Sequence, residues 1–475
     1  MRFPLLGKAV AIGGVLVALM VALQMIGGIV REREARLHEA ERSVADSLAS
    51  RQVLVGPAVQ RRCTENWTRV QGEGKERKTV DETREFTLVA LPASLDVDAR
   101  AVVEPRYRGI FNVNGYTMKA TLDARWVNLD SLRPVAQHAG ATLQCETPQI
   151  FVAVGDARGI RRATITVAGD ALPVLPGAAH PSHPRGFHAE LAGAPIQAGA
   201  PFAAEISLEL VGTGDLAFAP IAGTTHVALA SNWPHPSFGG RFLPLARTIT
   251  EQGFKASWQL NALATSAPQE MLDGNAACAL DGNESQGVVD GKAARCIETF
   301  GVAFFDPVNA YVLSDRATKY GLLFIALTFV GVGLVEVLRR LRVHPMQYLL
   351  VGSAIAIFFL LLVSLTEHVG FDRAYLAGAT ACTVLLTFYG GFVLRGWRAG
   401  LVFGAGITVL YGALYTLLQL EQSALIVGSL LLFAVLAGVM VATRRVDWYA
   451  LFDNLREDAR MAAGPSTRAV PVPGQ

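Results

Sequence analysis

The sequence predicts a multi-pass α-helical membrane protein with six transmembrane helices and a large, antiparallel β-rich, sandwich-like extracytoplasmic domain. Three observations support this prediction. Apolar residues make up 51% of the 475 residues and concentrate at the two ends of the chain. Apolar and polar residues alternate along several stretches of the middle, which is typical of strands with one solvated face. Arginines cluster in every second loop between the apolar runs, which indicates an orientation in the membrane.

Residues 1–30 are predicted to form an N-terminal transmembrane signal anchor. The run 9–30 is apolar apart from Gln24, and about 20 apolar residues suffice to cross the hydrocarbon layer of a membrane. The run is too long for the apolar core of a secretory signal peptide, and no small-residue cleavage site precedes the charged residues 31–34. We therefore expect this helix to stay attached to the chain.

Five further apolar runs predict a five-helix bundle over residues 319–445, followed by a tail at 446–475. The runs cover residues 320–338, 346–365, 374–394, 400–418 and 424–442. The loops on one side of such a bundle carry the arginines Arg339, Arg340, Arg342, Arg395, Arg398, Arg444 and Arg445. The positive-inside rule makes that side cytoplasmic. Both termini are then cytoplasmic, and residues 31–318 form the extracytoplasmic domain.

That domain is predicted to begin with an amphipathic helix over residues 31–50, because Leu37, Val44 and Leu48 follow at near-helical spacing. Beyond this helix, apolar residues recur at every second position instead. Strands of antiparallel sheets are predicted at 116–126, 162–167, 205–210 and 254–260, where apolar and polar residues alternate. Proline and glycine cluster at 172–186, which indicates a loop and a candidate boundary between two β subdomains.

Four cysteines, Cys63, Cys145, Cys278 and Cys296, lie in the predicted extracytoplasmic domain, while Cys382 lies within a span. Cysteines in an oxidising compartment usually pair. The polar, glycine-containing segment between Cys278 and Cys296 favours a bond that closes it, which leaves Cys63 to pair with Cys145. The two other connectivities stay open at the level of sequence.

The sequence offers little support for catalysis. It contains no H-E-x-x-H, G-x-S-x-G, Walker A or C-x-x-C motif, and its formal net charge of +2 gives no support for a nucleic-acid partner. His180, His183 and His188 could bind a metal ion, but their proline-rich setting favours a solvated loop. We predict no enzyme, no cofactor and no metal site. The lipid bilayer is the expected partner, with other envelope proteins or lipids as further candidates, and the oligomeric state stays open.

One acidic residue, Glu336, lies within a predicted span, close to its cytoplasmic end. An intrahelical pair with Arg339 and Arg340 is the favoured interpretation. The alternative is a proton-coupling acid, because charged groups inside membranes are often functional.

A polar stripe marks the span at 400–418. Tyr411, Tyr415 and Gln419 share one helix face. They either pack against a neighbouring helix, which is favoured because Gly400 and Gly404 allow close approach, or line a polar path through the membrane.

The segment 233–244 is rich in aromatic residues and proline, and is predicted to hold one fixed shape. It either tucks its aromatic side chains into the β core, which is favoured, or presents a functional surface. The candidate residues for such a surface are Trp233, His235, Phe238 and Phe242, together with Glu367 and His368 at the outer ends of the helices.

Segments along nearly the whole chain are similar to the bacterial inner-membrane protein CreD family. In the last third these are DPVNAY at 306–311, RATKYGLLFI at 316–325, RVHPMQYLLVG at 342–352, LTEHVGF at 365–371, YGALY at 411–415, GSLLLF at 428–433 and TRRVDWY at 443–449. In the extracytoplasmic domain they are 52–57, RGIF at 108–111, WPHPSFGG at 233–240 and FLP at 242–244.

This resemblance implies a place in the bacterial inner (cytoplasmic) membrane, with the large domain in the periplasm. It also implies a link to cell-envelope integrity and to the envelope-stress or β-lactam response, without an established catalytic activity or catalytic residues. The leading hypothesis is therefore a non-enzymatic protein that supports the envelope through its periplasmic domain. A transporter or lipid-handling permease is the alternative, and a membrane-embedded hydrolase is the weakest candidate.

Overall fold

The structure, a computed structural model, describes residues 4–71, 78–192, 199–280, 288–289, 292–293, 295–305, 310–339, 341, 343–420 and 424–444. The chain forms two compact units. The β unit is Leu37–Pro307, and the helical unit joins Met1–Arg36 to Val308–Gln475. The predicted tail at 446–475 lies outside the described residues.

All six predicted apolar runs are helical. In the described residues the α-helices are α1 (Pro4–Ser47), the short α2 (Ala267–Leu272), α3 (Ala310–Arg339), α4 (Pro345–Val369), α5 (Phe371–Val393), α6 (Trp397–Gln419) and α7 (Ala424–Thr443). The stretches among them that are long and apolar enough to cross a membrane are Gly7–Ser47, Tyr311–Val337, Pro345–Val369, Phe371–Val393 and Trp397–Gln419. In α7 the apolar stretch is shorter, Ile426–Val441. The predicted multi-pass architecture is thus confirmed, with five clear candidate spans and a sixth, shorter apolar helix.

Local sequence determines where these helices begin. At the start of α4 the His344 imidazole accepts from the amide of Met346 at 3.2 Å, and the side chain of Gln347 accepts from the amide of His344 at 3.0 Å. Such reciprocal caps satisfy amides that have no partner within the helix. Pro345 needs no partner at the first helical position.

Helices α1, α3, α4, α5 and α6 share one apolar core, which includes Leu23, Phe324, Ile355, Phe358 and Ile407. Large apolar side chains on the outer faces of helices of this unit stay exposed, as expected where lipid surrounds the protein. Examples are Phe388, Phe392, Val402 and Phe433.

The β unit contains two large sheets. In the described residues its strands are β1 (Gln52–Gln71), β2 (Lys78–Ala90), β3 (Ser94–Arg108), β4 (Phe111–Trp126), β5 (Thr142–Cys145), β6 (Gln149–Ala153), β7 (Ile160–Val167), β8 (Asp170–Leu172), β9 (Leu175–Pro176), β10 (Gly186–Glu190), β11 (Phe202–Thr213), β12 (Asp215–Phe218), β13 (Thr224–Ser231), β14 (Ser237–Gly240), β15 (Ala246–Thr250), β16 (Gly253–Asn261), β17 (Val288–Val289), β18 (Lys292–Ala293) and β19 (Phe300–Ala303).

The first sheet has the order β14-β19-β12-β1-β6-β10-β9, with β2 and β5 also paired to β1. The second has the order β15-β16-β13-β3-β4-β11-β7-β8. The predicted strands fall within β4, β7, β11 and β16. Antiparallel pairing is confirmed for most neighbours, but β1 with β12 and β3 with β13 are parallel pairs.

The two sheets enclose one core, so the unit is sandwich-like. Leu54 and Ile150 of the first sheet and Leu122, Ile206 and Trp258 of the second belong to the same buried cluster. Strands of the second sheet alternate buried and exposed residues, as β4 does along most of its length, because one of their faces is solvated.

The central part of the first sheet is covered on both faces. Val55 and Phe151 point into a second cluster that also contains Met271 of α2 and Ile297. A strand buried on both faces reads as a continuous apolar run rather than an alternating one, which explains why periodicity does not mark the start of β1.

The segment 172–186 carries the chain from β8, at the edge of the second sheet, to β9 and β10 of the first. It is therefore a crossover between two sheets that share a core, within a single compact unit. The expectation of a boundary between two β subdomains at this position is wrong, because the buried cluster is continuous across both sheets.

Candidate functional site

The predicted amphipathic helix continues α1 as far as Ser47, with Ala40 and Val44 buried in the β unit. Buried polar side chains gather where this helix ends and β1 begins. They come from Tyr116 and from residues 45–52, 156–159 and 211–215, which together we call the joint. All of these residues belong to the β unit.

Asp156 and Arg158 form the centre of the joint. The carboxylate of Asp156 accepts from the amide of Ser50 at 2.9 Å and from the Arg158 guanidinium at 2.6 Å. The same guanidinium donates to the carbonyl oxygens of Asp46 and Ala45 in the last turn of α1. Those carbonyls have no partner within a helix, and a cation beside them also complements the helix dipole. The pair therefore fixes the end of α1 to the β unit.

Gln52 adds a second layer of bonds. Its side-chain amide donates to the carbonyl of Asp156 at 3.0 Å and to that of Val211 at 2.9 Å, and its oxygen accepts from the amide of Asp156 at 3.1 Å. Gly159 leaves the room for this arrangement, because a Cβ there would overlap the Val211 carbonyl and the Gln52 amide. Each polar group of the Gln52 side chain is thus used.

Tyr116 and Thr213 complete the joint. The Tyr116 hydroxyl donates to the carbonyl of Asp215 at 2.6 Å, and the Thr213 hydroxyl donates to that of Ala49 at 2.9 Å. Arg51 pairs with the Asp215 carboxylate at 3.5 Å. Burial, helped by that carboxylate, raises the pKa of Tyr116 well above its ordinary value, so this hydroxyl stays protonated and keeps donating.

The chemistry of the joint favours attachment rather than proton transfer. The Arg158 guanidinium holds the pKa of the Asp156 carboxyl well below its usual range, and the Ser50 donors act in the same direction against burial. A carboxylate stabilised in this way is a poor proton acceptor near neutral pH. The joint can instead hold a helix end and two sheets in one fixed arrangement.

The predicted surface at 233–244 lies against the β core. Phe238 makes edge contacts with Phe254 at 5.5 Å and with Trp258 at 5.8 Å between ring centres. The indole of Trp258 donates to the carbonyl of Phe242, and that of Trp233 donates to the carbonyl of His235. These contacts favour the structural interpretation of the segment, and a functional role for it stays a prediction.

We predict different effects for two alanine substitutions in this segment. Phe238→Ala removes a partly buried ring and its aromatic contacts, and we expect a loss of about 2 kcal/mol of stability and less folded protein in the membrane. His235→Ala is the control, because the His235 side chain is exposed. Its ring contacts Trp233 edge-on at 6.3 Å between ring centres, and alanine keeps the main-chain carbonyl to which Trp233 donates. Quantitative immunoblotting of membranes measures both. Equal abundance of the two variants would contradict the structural interpretation.

Glu367 and His368 belong to the helical unit, whereas Trp233, His235, Phe238 and Phe242 belong to the β unit. Glu367 forms an ion pair with the Nε of Arg33 in α1 at 3.3 Å, and His368 is exposed. Glu367 therefore connects α4 to α1.

Glu336 also connects two helices to its own. Its carboxylate pairs with Lys8 of α1 and accepts from the hydroxyl of Tyr348 in α4 at 2.9 Å. The sequence predicts Arg339 and Arg340 as its partners, but Arg340 and the side chain of Arg339 lie outside the described residues. Sequence reasoning missed Lys8, because a partner more than 300 positions away leaves no local spacing signal.

The stripe on α6 packs against α5. The Tyr411 hydroxyl donates to the Cys382 sulfur at 3.0 Å, and Tyr415 and Gln419 both donate to Asp372. Gly400 and Gly404 face Gly391 and Thr387 of α5 so closely that a Cβ would collide with them. The packing interpretation of this stripe is therefore confirmed.

Both predicted disulfides are present. Cys63 pairs with Cys145, opposite it in the β1–β5 ladder, and Cys278 pairs with Cys296. Cys382 is a buried free thiol.

The histidines of the segment 172–186 are packed rather than solvated. His180 is buried, with its ring 5.4 Å from Phe151 and 5.2 Å from His183. Burial, with His183 and Arg62 acting in the same direction, lowers the pKa of His180 to about 4. The expectation of a solvated loop is wrong for this residue, because its ring covers an apolar side chain of β6. In the part of the chain that the structure describes, no group of three metal-binding side chains comes together.

Sequence reasoning also missed the joint. Asp156 is followed two residues later by Arg158, and Asp often accepts from such an amide in a turn. That signal could have marked a turn at 156–159, but not its contact with the end of α1.

Two comparisons bear on identity. A family model described as Inner membrane protein CreD matches residues 4–449. The Inner membrane protein CreD of Escherichia coli (strain K12) is 35% identical over 451 residues, which cover 95% of this chain and 95% of that protein.

Proposed function

Since this chain belongs to the CreD family of inner membrane proteins, we propose that it supports cell-envelope integrity or the envelope-stress (β-lactam) response through its periplasmic domain, without catalysis. The observation that carries this proposal is the joint. A helix that continues from an apolar span is bonded at its end to Arg158, and Gln52 of β1 bonds both the neighbouring Asp156 and Val211 of β11 in the other sheet. Such attachment suits a domain held firmly at the membrane.

The helical unit supports the same function. Several of its described polar side chains bond between helices, as Glu336 does with Lys8 and Tyr348, and as Asp372 does with Tyr415. Polar groups engaged in this way stabilise a bundle. A permease would instead need such groups to line a route for its substrate.

We propose that the β unit faces the periplasm and that both termini are cytoplasmic. The arginines of the loops between the helices support this orientation through the positive-inside rule. The bond between Cys63 and Cys145 supports it too, because disulfides persist in the periplasm and are rare in the cytoplasm. Free thiols at Cys63 and Cys145 in protein purified without reductant would contradict it.

The substitution Glu336→Gln distinguishes the proposed function from proton-coupled transport. Glutamine keeps the length of the side chain and can still accept from Tyr348, but it cannot carry a coupled proton. In a deletion strain under detergent or β-lactam stress, we expect Glu336→Gln to restore survival in proportion to its abundance in the membrane. Survival is measured by plating and abundance by immunoblotting.

The control is Lys8→Gln/Glu336→Gln, which removes the cation that the single substitution leaves without its carboxylate. We expect both variants to behave alike once abundance is taken into account. Loss of survival at normal abundance in both would favour the permease. Failure of the wild-type chain to restore survival would refute the proposed function itself.

A further inference from the structure

The hairpin of β3 and β4 extends past the core of the β unit. The two strands pair without interruption out to Arg108 and Phe111. Gly109 is the first of the two turn residues and has a φ of 62°, as a type II′ hairpin turn requires. Burial of β3 ends at Val103, and residues 104–110 are all exposed. We call residues 104–112 the hairpin tip.

The hairpin tip leaves the β unit at the edge where the chain enters and exits. A Cβ on Gly115 would lie 3.2 Å from Leu48, just after α1 ends. The side-chain amide of Asn114 donates to the carbonyl of Phe304 at 3.1 Å, shortly before α3 begins. Both ends of the β unit continue into helices that are apolar enough to cross a membrane.

Helix geometry limits how far that edge can lie from a membrane. The apolar run of α1 ends at Val30, 18 positions before Leu48, and an α-helix rises about 1.5 Å per residue. The edge is therefore within about 27 Å of the end of that run. The hairpin runs five residues beyond Asn114, or about 17 Å at 3.4 Å per residue. The hairpin tip is long enough to cover most of this distance.

The composition of the hairpin tip suits the headgroup layer of a membrane. Tyr107 is 70% exposed and Ile110 is 51% exposed, and both would cost free energy in water. Arg106 and Arg108 flank Tyr107, and Arg106 forms an ion pair with Glu104 at 2.9 Å. Tyrosine sits preferentially at membrane interfaces, and arginine beside it is attracted to anionic lipid.

We propose that the hairpin tip rests in the lipid headgroup layer of the membrane that holds the helices, as a second point of attachment for the β unit. Arg106 and Arg108 contact anionic phosphates there, while Tyr107 and Ile110 reach the boundary with the acyl chains. The contact is independent of the proposed role in envelope integrity. It depends only on the edge from which the hairpin tip projects and on its side chains.

Lipid-borne quenching tests this contact on the full chain. Tyr107→Cys is labelled with an environment-sensitive fluorophore, and the protein is placed in nanodiscs that contain nitroxide-labelled lipid. The discs consist of phosphatidylcholine alone or of equal parts of phosphatidylcholine and phosphatidylglycerol. We expect several-fold stronger quenching at position 107 than at a matched site, and the strongest quenching in discs with phosphatidylglycerol. The wild-type chain gives the background from Cys382.

The matched site is Val127→Cys. Val127 is also 70% exposed, but it follows the opposite end of β4, about 50 Å from the hairpin tip at 3.4 Å per residue. The proposal would be overturned if quenching at position 107 did not exceed quenching at position 127. It would also be overturned if the label at position 107 became shielded from water only when a second protein is added. Arg106→Gln/Arg108→Gln should weaken the quenching at 107 in anionic discs, and unchanged quenching would overturn the role given to the arginines.

Discussion

Replacing Arg158 with alanine is expected to destabilise the β unit, since it leaves the carboxylate of Asp156 buried without its cation. The substitution also removes the donors that cap the last turn of α1. Water can replace part of the interaction, because the Arg158 side chain is 53% exposed. We expect a clear fall in the thermal midpoint of unfolding. Thermal unfolding of the purified full chain measures it.

The control is Arg69→Ala. The Arg69 side chain is 68% exposed and pairs with Glu82 at 3.6 Å, but Glu82 is itself 36% exposed. Pairs between exposed side chains contribute only about 0–1 kcal/mol. We therefore expect Arg69→Ala to shift the midpoint little. Equal shifts for Arg158→Ala and Arg69→Ala would show that the joint does not hold the β unit together.

The dependence of stability on pH gives a second reading of the joint. The pKa of Asp156 is lower in the folded protein than in the unfolded chain, where it is about 3.9. Asp156 therefore contributes its full stabilisation above about pH 3.9, and this stabilisation is lost as the pH falls towards the pKa of Asp156 in the folded protein. Asp156→Asn lacks a titrating group. We expect it to be less stable than wild type at pH 7 and to lose less stability on acidification below about pH 4.

The transmembrane helices could be predicted because each is a long apolar run, and the structure extends most of them by only a few residues. The second sheet could be predicted in part for a similar reason. Residues 116–126 and 254–260 alternate because β4 and β16 each have one solvated face. Local pattern is enough wherever the environment of a residue repeats along the chain.

The first sheet and the joint could not be predicted in this way. The start of β1 is buried on both faces, so it lacks alternation. Gln52 and Arg158 look like ordinary polar residues in the sequence, and their bonds to Val211 and Asp46 each join positions more than 100 apart. The same holds for Glu336, whose bond to Lys8 joins opposite ends of the chain. The short contacts that fix these groups exist only once the fold has formed.

Removing the bond between Cys63 and Cys145 is expected to have the larger effect of the two disulfide removals. This bond closes a loop with a sequence separation of 82, whereas Cys278 and Cys296 are separated by 18. In the chain-entropy model the first contributes about 4–5 kcal/mol and the second about 3 kcal/mol. Alanine at both positions of a pair avoids leaving a hydroxyl in place of a buried sulfur. Thermal unfolding of the two double variants gives the comparison.

The surroundings of the Cys63–Cys145 bond also predict that its removal has the larger effect. Beside Cys145, the amides of Gln137 and His138 donate to the buried carboxylate of Glu65, and the His138 ring stacks on Trp67 at 3.8 Å. Loss of the disulfide would free β5, a strand of only four residues, and weaken the two amide hydrogen bonds to the Glu65 carboxylate. Limited proteolysis should therefore cut Cys63→Ala/Cys145→Ala near residues 133–145, and Cys278→Ala/Cys296→Ala between residues 278 and 296. A lower midpoint for the second variant than for the first would contradict this ranking.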